Sequence, residues 1–173
     1  MTIRPLLPAL FASLALSACA GLGGKSPTTA EAQLAPTKGS KAAGSVRFVD
    51  VDGGVRVEAI VSGLTPGGHG FHVHEKGDCS APDAMSAGGH FNPTGKPHAH
   101  PDKADRHLGD MPMLMADAGG RASLTMVLKG LSISGDKGVV GRAVIVHAAP
   151  DDFVTQPTGN SGARVACGVV AAN

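Results

Sequence analysis

The sequence contains no tryptophan and no tyrosine, and its 173 residues include only 5 phenylalanines. A buried core must therefore be built from aliphatic side chains, and 42% of the residues are hydrophobic. Neither sign of charge is in excess, since the formal net charge is +1. Bulk charge therefore indicates neither nucleic acid nor an acidic membrane surface as a partner. No segment repeats its apolar residues at helical spacing, so long helices are not predicted.

Turn-forming residues are common instead, with 25 glycines and 12 prolines. Between the turns lie short segments in which apolar and polar residues alternate, as in residues 55–62. Such alternation is typical of a strand with one buried face. Asp52, Gly53 and Gly54 form a hairpin signal before that segment. The pattern predicts one all-β domain, an antiparallel sandwich or barrel.

The N-terminal residues predict export from the cytoplasm. After Arg4, the apolar stretch at 6–16 is too short to span a bilayer as a helix. It runs into Leu16, Ser17, Ala18 and Cys19, which together are similar to the lipobox of bacterial lipoproteins. We expect a lipid on Cys19 and a periplasmic location; cleavage at a small-residue site, giving a soluble periplasmic product, is the alternative. The predicted divisions are a signal peptide at 1–18, a flexible tether at 19–41 and a folded domain at 42–173.

Cysteine occurs 3 times. If Cys19 carries a lipid, Cys79 and Cys167 remain as an even pair. Such a pair is expected to form a disulfide in an oxidising compartment, and two buried free thiols are the alternative.

Histidine is the unusual component, because seven of the eight histidines lie between His69 and His107. On a strand, His72 and His74 would point to the same side. Imidazole suits copper and zinc, although two histidines on a solvent-facing strand also occur without metal. The long segment at 77–109 has no strand-like run, and a loop of this length in a compact domain is usually functional or disordered.

That segment supplies a second potential ligand set, since His90, His98 and His107 are followed by Asp110. Three histidines and one carboxylate suit a closed tetrahedral zinc site. His72, His74 and the eighth histidine, His147, would suit copper if one imidazole were shared between the two metals.

Five separated segments resemble the signature segments of copper/zinc superoxide dismutases, and they occur in the family's order. The resemblance covers about residues 42–171. The segments are 70–78, 89–93, 106–110, 146–147 and 159–168.

The resemblance implies an eight-stranded Greek-key β-barrel with a long metal-binding loop and one disulfide between Cys79 and Cys167. It implies an enzyme that converts superoxide to oxygen and hydrogen peroxide, with one copper and one zinc per subunit. A homodimer is possible, but the resemblance does not specify the oligomeric state because bacterial members differ in their interfaces. Arg164 would attract the anion, and Asp151 would accept hydrogen bonds from one ligand of each metal, His72 and His98. By resemblance the copper ligands are His72, His74, His90 and His147, and the zinc ligands are His90, His98, His107 and Asp110, with His90 as the bridge.

Three other functions are alternatives to this one: a copper carrier, a zinc hydrolase and a purely structural surface lipoprotein. A carrier would need neither Arg164 nor a bridging histidine. A hydrolytic zinc would need an open water position and a general base. A structural lipoprotein would leave the eight histidines unexplained.

Several neighbouring residues are predicted to have no part in the metal sites. We expect His69 to bond the backbone and His100 to be solvated. Met111, Met113 and Met115 alternate, which favours core packing on one face over a soft copper site.

Overall fold

The computed structural model describes residue 1 and residues 29–173. The described residues form ten strands and one short 3-10 helix, Met85–Ala87. No helix in this part of the chain is long and apolar enough to cross a membrane. The strands are β1 Thr29–Pro36, β2 Ala43–Val51, β3 Gly54–Ser62, β4 Gly67–His69, β5 Phe71–His74, β6 Leu114–Ala116, β7 Ala122–Leu128, β8 Ala143–His147, β9 Arg164–Val169 and β10 Ala171–Ala172.

Eight strands form one curled antiparallel sheet in the order β5-β8-β9-β1-β2-β3-β7, with β10 beside β1. The remaining strands, β4 and β6, pair with each other. Inside the sheet lies an aliphatic core with phenylalanine at three positions, Phe48, Phe71 and Phe91. The predicted all-β fold is confirmed.

The hairpin between β2 and β3 forms where the turn signal predicts it. Val51 pairs with Gly54, so Asp52 and Gly53 make a two-residue turn. Gly53 has a φ of 89°, a conformation that glycine adopts without steric cost.

Strand β1 differs from the prediction of a flexible tether over residues 19–41. Ala30, Ala32 and Leu34 are buried and alternate with more exposed residues, so this segment contributes one face to the core. It pairs with β2 along six residues and joins β9 at Pro36. The tether prediction is therefore wrong for residues 29–36, because the alternating burial of Ala30, Ala32 and Leu34 and the pairing with β2 hold this segment in a strand. The predicted signal peptide and Cys19 lie outside the described residues.

The disulfide joins Cys79, in the connection after β5, to Cys167 in β9, and the two Cα atoms are 5.8 Å apart. The predicted pairing is confirmed. The two cysteines are separated by 88 residues. In the chain-entropy model, closing a loop of this size stabilises the fold by about 4 to 5 kcal/mol.

Candidate metal centre

Strand β5 places the first two histidines. All four of its residues are buried. Phe71 and Val73 point into the aliphatic core, so His72 and His74 share the opposite side, with ring centroids 6.3 Å apart. Antiparallel pairing with β8 holds this strand on one edge.

The long loop after β5 folds back onto the free edge of that strand. The backbone of Val73 donates to Gly109 and accepts from Phe91, at 2.9 and 2.8 Å. A side chain at Gly109 would collide with the Val73 carbonyl, so only glycine permits this close approach. As a result, His90 lies opposite His74 and Asp110 lies opposite His72.

One group of four buried histidines surrounds a common point. His72, His74, His90 and His147 each offer one ring nitrogen, and these nitrogens all lie within 4.8 Å of one another. They are Nδ1 of His72 and Nε2 of the other three. Within the described residues, these are also the buried side-chain nitrogens without a hydrogen-bond partner. Buried polar atoms are nearly always partnered, so a metal that accepts four nitrogen ligands fits this group.

The other nitrogen of each ring is held by the protein. Nδ1 of His74 lies 2.9 Å from the Gly88 carbonyl, and Nδ1 of His147 lies 3.2 Å from the Gly162 carbonyl. Nδ1 of His90 lies 2.9 Å from Asp110 Oδ1. Such contacts fix the tautomer and the orientation of a metal-binding imidazole.

A second group shares His90 with the first. It consists of His90, His98, His107 and Asp110, whose ligand atoms again lie within 4.8 Å of one another. Nδ1 of His98 is 2.9 Å and Nδ1 of His107 is 3.4 Å from Asp110 Oδ1. The other oxygen of Asp110 accepts the backbone N–H groups of Ala99 and His107. Three histidine nitrogens and a carboxylate oxygen at such spacing fit a tetrahedral zinc site.

Asp151 links the two groups. Its Oδ2 lies 2.6 Å from Nε2 of His72, and its Oδ1 lies 2.9 Å from Nε2 of His98. The carboxylate is fully buried. One side chain therefore orients a ring in each group.

Electrostatics keep the first group neutral. Burial lowers the pKa of His74 well below its usual value. Burial, reinforced by the neighbouring His72, lowers the pKa of His147 to about 3. Burial also lowers the pKa of His90 to about 4, although the hydrogen bond to Asp110 opposes the shift. Neutral imidazole is the form that binds metals.

In the second group, the environment of His98 instead favours the protonated, positively charged form of its ring. Burial disfavours the charged form of His98, but hydrogen bonds to Asp110 and Asp151 outweigh it and raise the pKa to about 9. Burial raises the pKa of Asp110, yet hydrogen bonds from His107, His90 and His98 leave it well below its ordinary range. Two ionised carboxylates beside this cluster would equally stabilise a divalent cation.

Arg164 lies beside the first group at the start of β9. Its guanidinium donates to the carbonyls of Ala84 and Gly88, at 2.7 and 2.6 Å. The Gly88 carbonyl is also the partner of His74. Arg164 forms no ion pair with Asp151 or Asp152 within the described residues. Asp151 binds His72 and His98 instead, and Asp152 binds its own loop.

Two contacts of the site could not be inferred from the sequence. The side chain of Gln156 brackets the backbone of His98, accepting from its N–H and donating to its carbonyl, both at 2.7 Å. Gly159, with a φ of 66°, allows the chain to pass against Asp151 and His98, where any side chain would collide. Neither residue has a distinctive local pattern that points to the site.

The two remaining histidines, His69 and His100, belong to neither group of potential metal ligands. His69 is buried, and its ring nitrogens lie 2.7 Å from the His147 carbonyl and 2.8 Å from the Thr65 carbonyl. His100 is partly exposed and contacts Asp102 and Phe153. His69 therefore bonds the backbone and His100 lies at the surface, as the sequence predicts.

The methionine prediction is wrong in part. Met111 is fully buried, but Met115 is 63% exposed. Strand β6 begins only at Leu114, whose side chain enters the core and thereby directs Met115 outward.

Residues 42–170 match the family described as copper/zinc superoxide dismutase. A copper/zinc superoxide dismutase of Deinococcus radiodurans is 40% identical over 176 residues, which cover 94% of this chain and 93% of the relative. A copper/zinc superoxide dismutase of Arabidopsis thaliana is 40% identical over 134 residues, 73% of this chain and 81% of the relative.

The chain belongs to the copper/zinc superoxide dismutase family.

Two solved structures share the fold. The clock protein EA4 has a TM-score of 0.77 and 40% identity, with 86% of this chain and 97% of that chain covered. A double mutant of a superoxide dismutase-like protein from Bacillus subtilis has a TM-score of 0.72 and 38% identity, with 80% and 94% covered.

The protein is therefore an oxidoreductase that converts superoxide to oxygen and hydrogen peroxide. Copper and zinc are its cofactors, and the two histidine groups fit them.

Proposed function

We propose that the four-histidine group holds copper and that the group with Asp110 holds zinc. The convergence of four buried, unpartnered ring nitrogens carries the assignment. Four nitrogens suit copper, whereas three nitrogens and a carboxylate oxygen suit zinc. The assigned copper ligands are His72, His74, His90 and His147, and the assigned zinc ligands are His90, His98, His107 and Asp110.

His90 is the bridge in this proposal, because its Nε2 faces the first group and its Nδ1 faces the second. Bound copper supplies a one-electron redox couple. His90 Nε2 can hold a proton when it is free of metal and deliver it to the superoxide that is being reduced. Asp110 and the second group hold Nδ1, so the ring stays in place while Nε2 gains and loses the proton.

Arg164 is proposed to attract the substrate. Its guanidinium is fixed by two carbonyls and carries a positive charge that is close enough to His74 and His147 to disfavour their protonation. A fixed cation beside the site favours the approach of a small anion.

The test of this assignment is superoxide decay measured on pure protein with copper and zinc quantified in the same sample. We expect the parent to consume superoxide in proportion to bound copper. The variant His90→Ala should keep the fold, lose most of the rate and give a copper spectrum that no longer changes when zinc is added.

The matched control is His100→Ala, which removes a partly exposed histidine outside both groups. It should match the parent in rate and spectrum. If zinc addition changed the copper spectrum of His90→Ala as it changes that of the parent, His90 would not be the bridge.

We also propose that the protein is exported to the periplasm and held at a membrane by a lipid on Cys19. The disulfide supports an oxidising compartment. Replacing Cys19 by alanine should shift the protein from the detergent phase to the aqueous phase, or leave it unprocessed, because the acylated side chain is lost. Ser26→Ala is the control and should partition like the parent. Equal partitioning of Cys19→Ala and the parent would favour secretion without a lipid.

Finally, we propose that the protein is a homodimer. An apolar surface around β9 supports this proposal. Val140 and Val169 are 37% and 42% exposed. Val169 lies beside Gly77, whose backbone in turn lies against Gly141, the residue after Val140. A twofold interface uses the same patch on both copies. In sedimentation experiments, Val169→Glu should be monomeric at concentrations at which the parent is dimeric.

Val154→Glu places the same charge on a valine that is 76% exposed in another loop, and it should remain dimeric. A monomeric parent would contradict the homodimer.

A further inference from the structure

A cavity of about 380 Å³ lies between the β1–β2 connection and the start of β9. Its rim carries Lys38 and Lys41, and Arg164 also contributes to its wall. None of the residues that line it is aspartate or glutamate. A concave site lined by charges of one sign concentrates counter-ions of the opposite sign.

The two lysines are not neutralised elsewhere. Within the described residues, Lys96 forms an ion pair with Asp105, whereas Lys38 and Lys41 form none. Both lysines are exposed, and both line the cavity. By contrast, the second cavity of the molecule, about 480 Å³, sets Asp102 beside Lys103 and Lys129.

Below this charged rim, the cavity has an apolar lower part. Ala42 and Leu64 are buried, and Val165 is partly buried beside them. Ser40 adds a hydroxyl whose oxygen accepts the Ala42 N–H, so its proton remains free to donate. A cationic rim above an apolar floor suits a ligand with an anionic head and a small apolar body.

We propose that this cavity binds a small organic anion, a carboxylate or phosphate ester with an apolar body. Lys38 and Lys41 bind the charged group, and Leu64 and Val165 contact the body. The ligand's charge offsets the repulsion between the lysines, and its apolar part displaces water from the floor.

The cavity wall is connected to residues beside the metal centre. Thr37 donates its hydroxyl to the Arg164 carbonyl at 2.8 Å, and the buried His69 lies 2.7 Å from the His147 carbonyl. The binding site itself is nevertheless distinct from the metal groups, because no residue of either group lines the cavity. The Arg164 guanidinium is directed to Ala84 and Gly88.

The experiment uses the metal-loaded enzyme with copper reduced, since Cu(I) is diamagnetic and allows amide NMR signals to be followed. The probes are benzoate, phenyl phosphate and benzamide, the last a neutral analogue of benzoate. We expect benzoate and phenyl phosphate to shift the amides of residues 37–42 and 63–65 in a saturable way. Benzamide should bind about 10-fold more weakly or worse, because it lacks the charge.

The variant Lys38→Gln/Lys41→Gln should lose about 10-fold or more in benzoate affinity. The matched control, Lys103→Gln/Lys129→Gln, removes the same charge at the second cavity and should bind benzoate within about twofold of the parent. Equal binding of benzoate and benzamide, no loss in the Lys38→Gln/Lys41→Gln variant, or shifts confined to residues 153–163 at the metal centre would each overturn the proposal.

Discussion

Replacing Asp151 by alanine should weaken zinc binding by roughly 10- to 100-fold, the range typical for loss of a carboxylate that orients a metal ligand. The carboxylate is the acceptor for His98, at 2.9 Å, and also for His72, at 2.6 Å. Without it, both rings lose the contact that fixes their orientation. Zinc affinity is measured by competition with a chelator, and the copper spectrum is recorded on the same samples.

The matched control is the neighbouring carboxylate. Asp152 is exposed and accepts from Thr155 and Val154 of its own loop. Asp152→Ala should therefore retain the parent's zinc affinity. If Asp151→Ala held zinc as tightly as the parent, Asp151 would have no orienting role.

Replacing Arg164 by alanine should lower the rate of superoxide consumption by roughly 10-fold or more at low ionic strength, with copper and zinc content unchanged. The guanidinium is held beside the first histidine group by two short hydrogen bonds. Because the formal charge of the whole chain is only +1, a local charge must attract the anion. The variant should also lose much of the parent's salt dependence, since steering by charge is screened by salt.

Two variants make this test specific. Arg164→Lys keeps the charge but cannot reproduce the planar pair of donors to Ala84 and Gly88, so an intermediate rate is expected. Arg121→Ala removes a remote exposed arginine and should leave the rate unchanged. The measurement is decay of pulse-generated superoxide at low and high salt, with equal metal content. Equal rates for Arg164→Ala and the parent at low salt would favour a copper-binding role over substrate attraction for this site.

Local sequence patterns predicted most of the fold because their physical causes are local. Alternation of apolar and polar residues depends only on which face of a strand is buried, so the segment at 55–62 was assigned to a strand that the structure contains as β3. The same rule placed His72 and His74 on one side of β5. The tether prediction is wrong at residues 29–36 because the small residues there do not indicate a strand by composition, whereas the alternation of Ala30, Ala32 and Leu34 does.

The geometry of the site could not be predicted in this way, because it depends on contacts between residues far apart in the chain. His147 on β8 reaches His72 only because β5 and β8 are paired. Which nitrogen of each ring faces the common point depends on partners such as the Gly88 carbonyl and Asp151, and no local pattern specifies them.

The sequence by itself therefore determined the all-β class, the even pair of cysteines and the family. Each follows from residue identity and short-range spacing. Only the tertiary structure decided that Gln156 brackets His98, that Met115 points outward and that Lys38 and Lys41 border a cavity without a carboxylate. Side-chain directions and cavities arise from packing between segments that are distant in the chain. Many residues contribute to the free energy of that packing, and their positions follow no periodic pattern in the sequence.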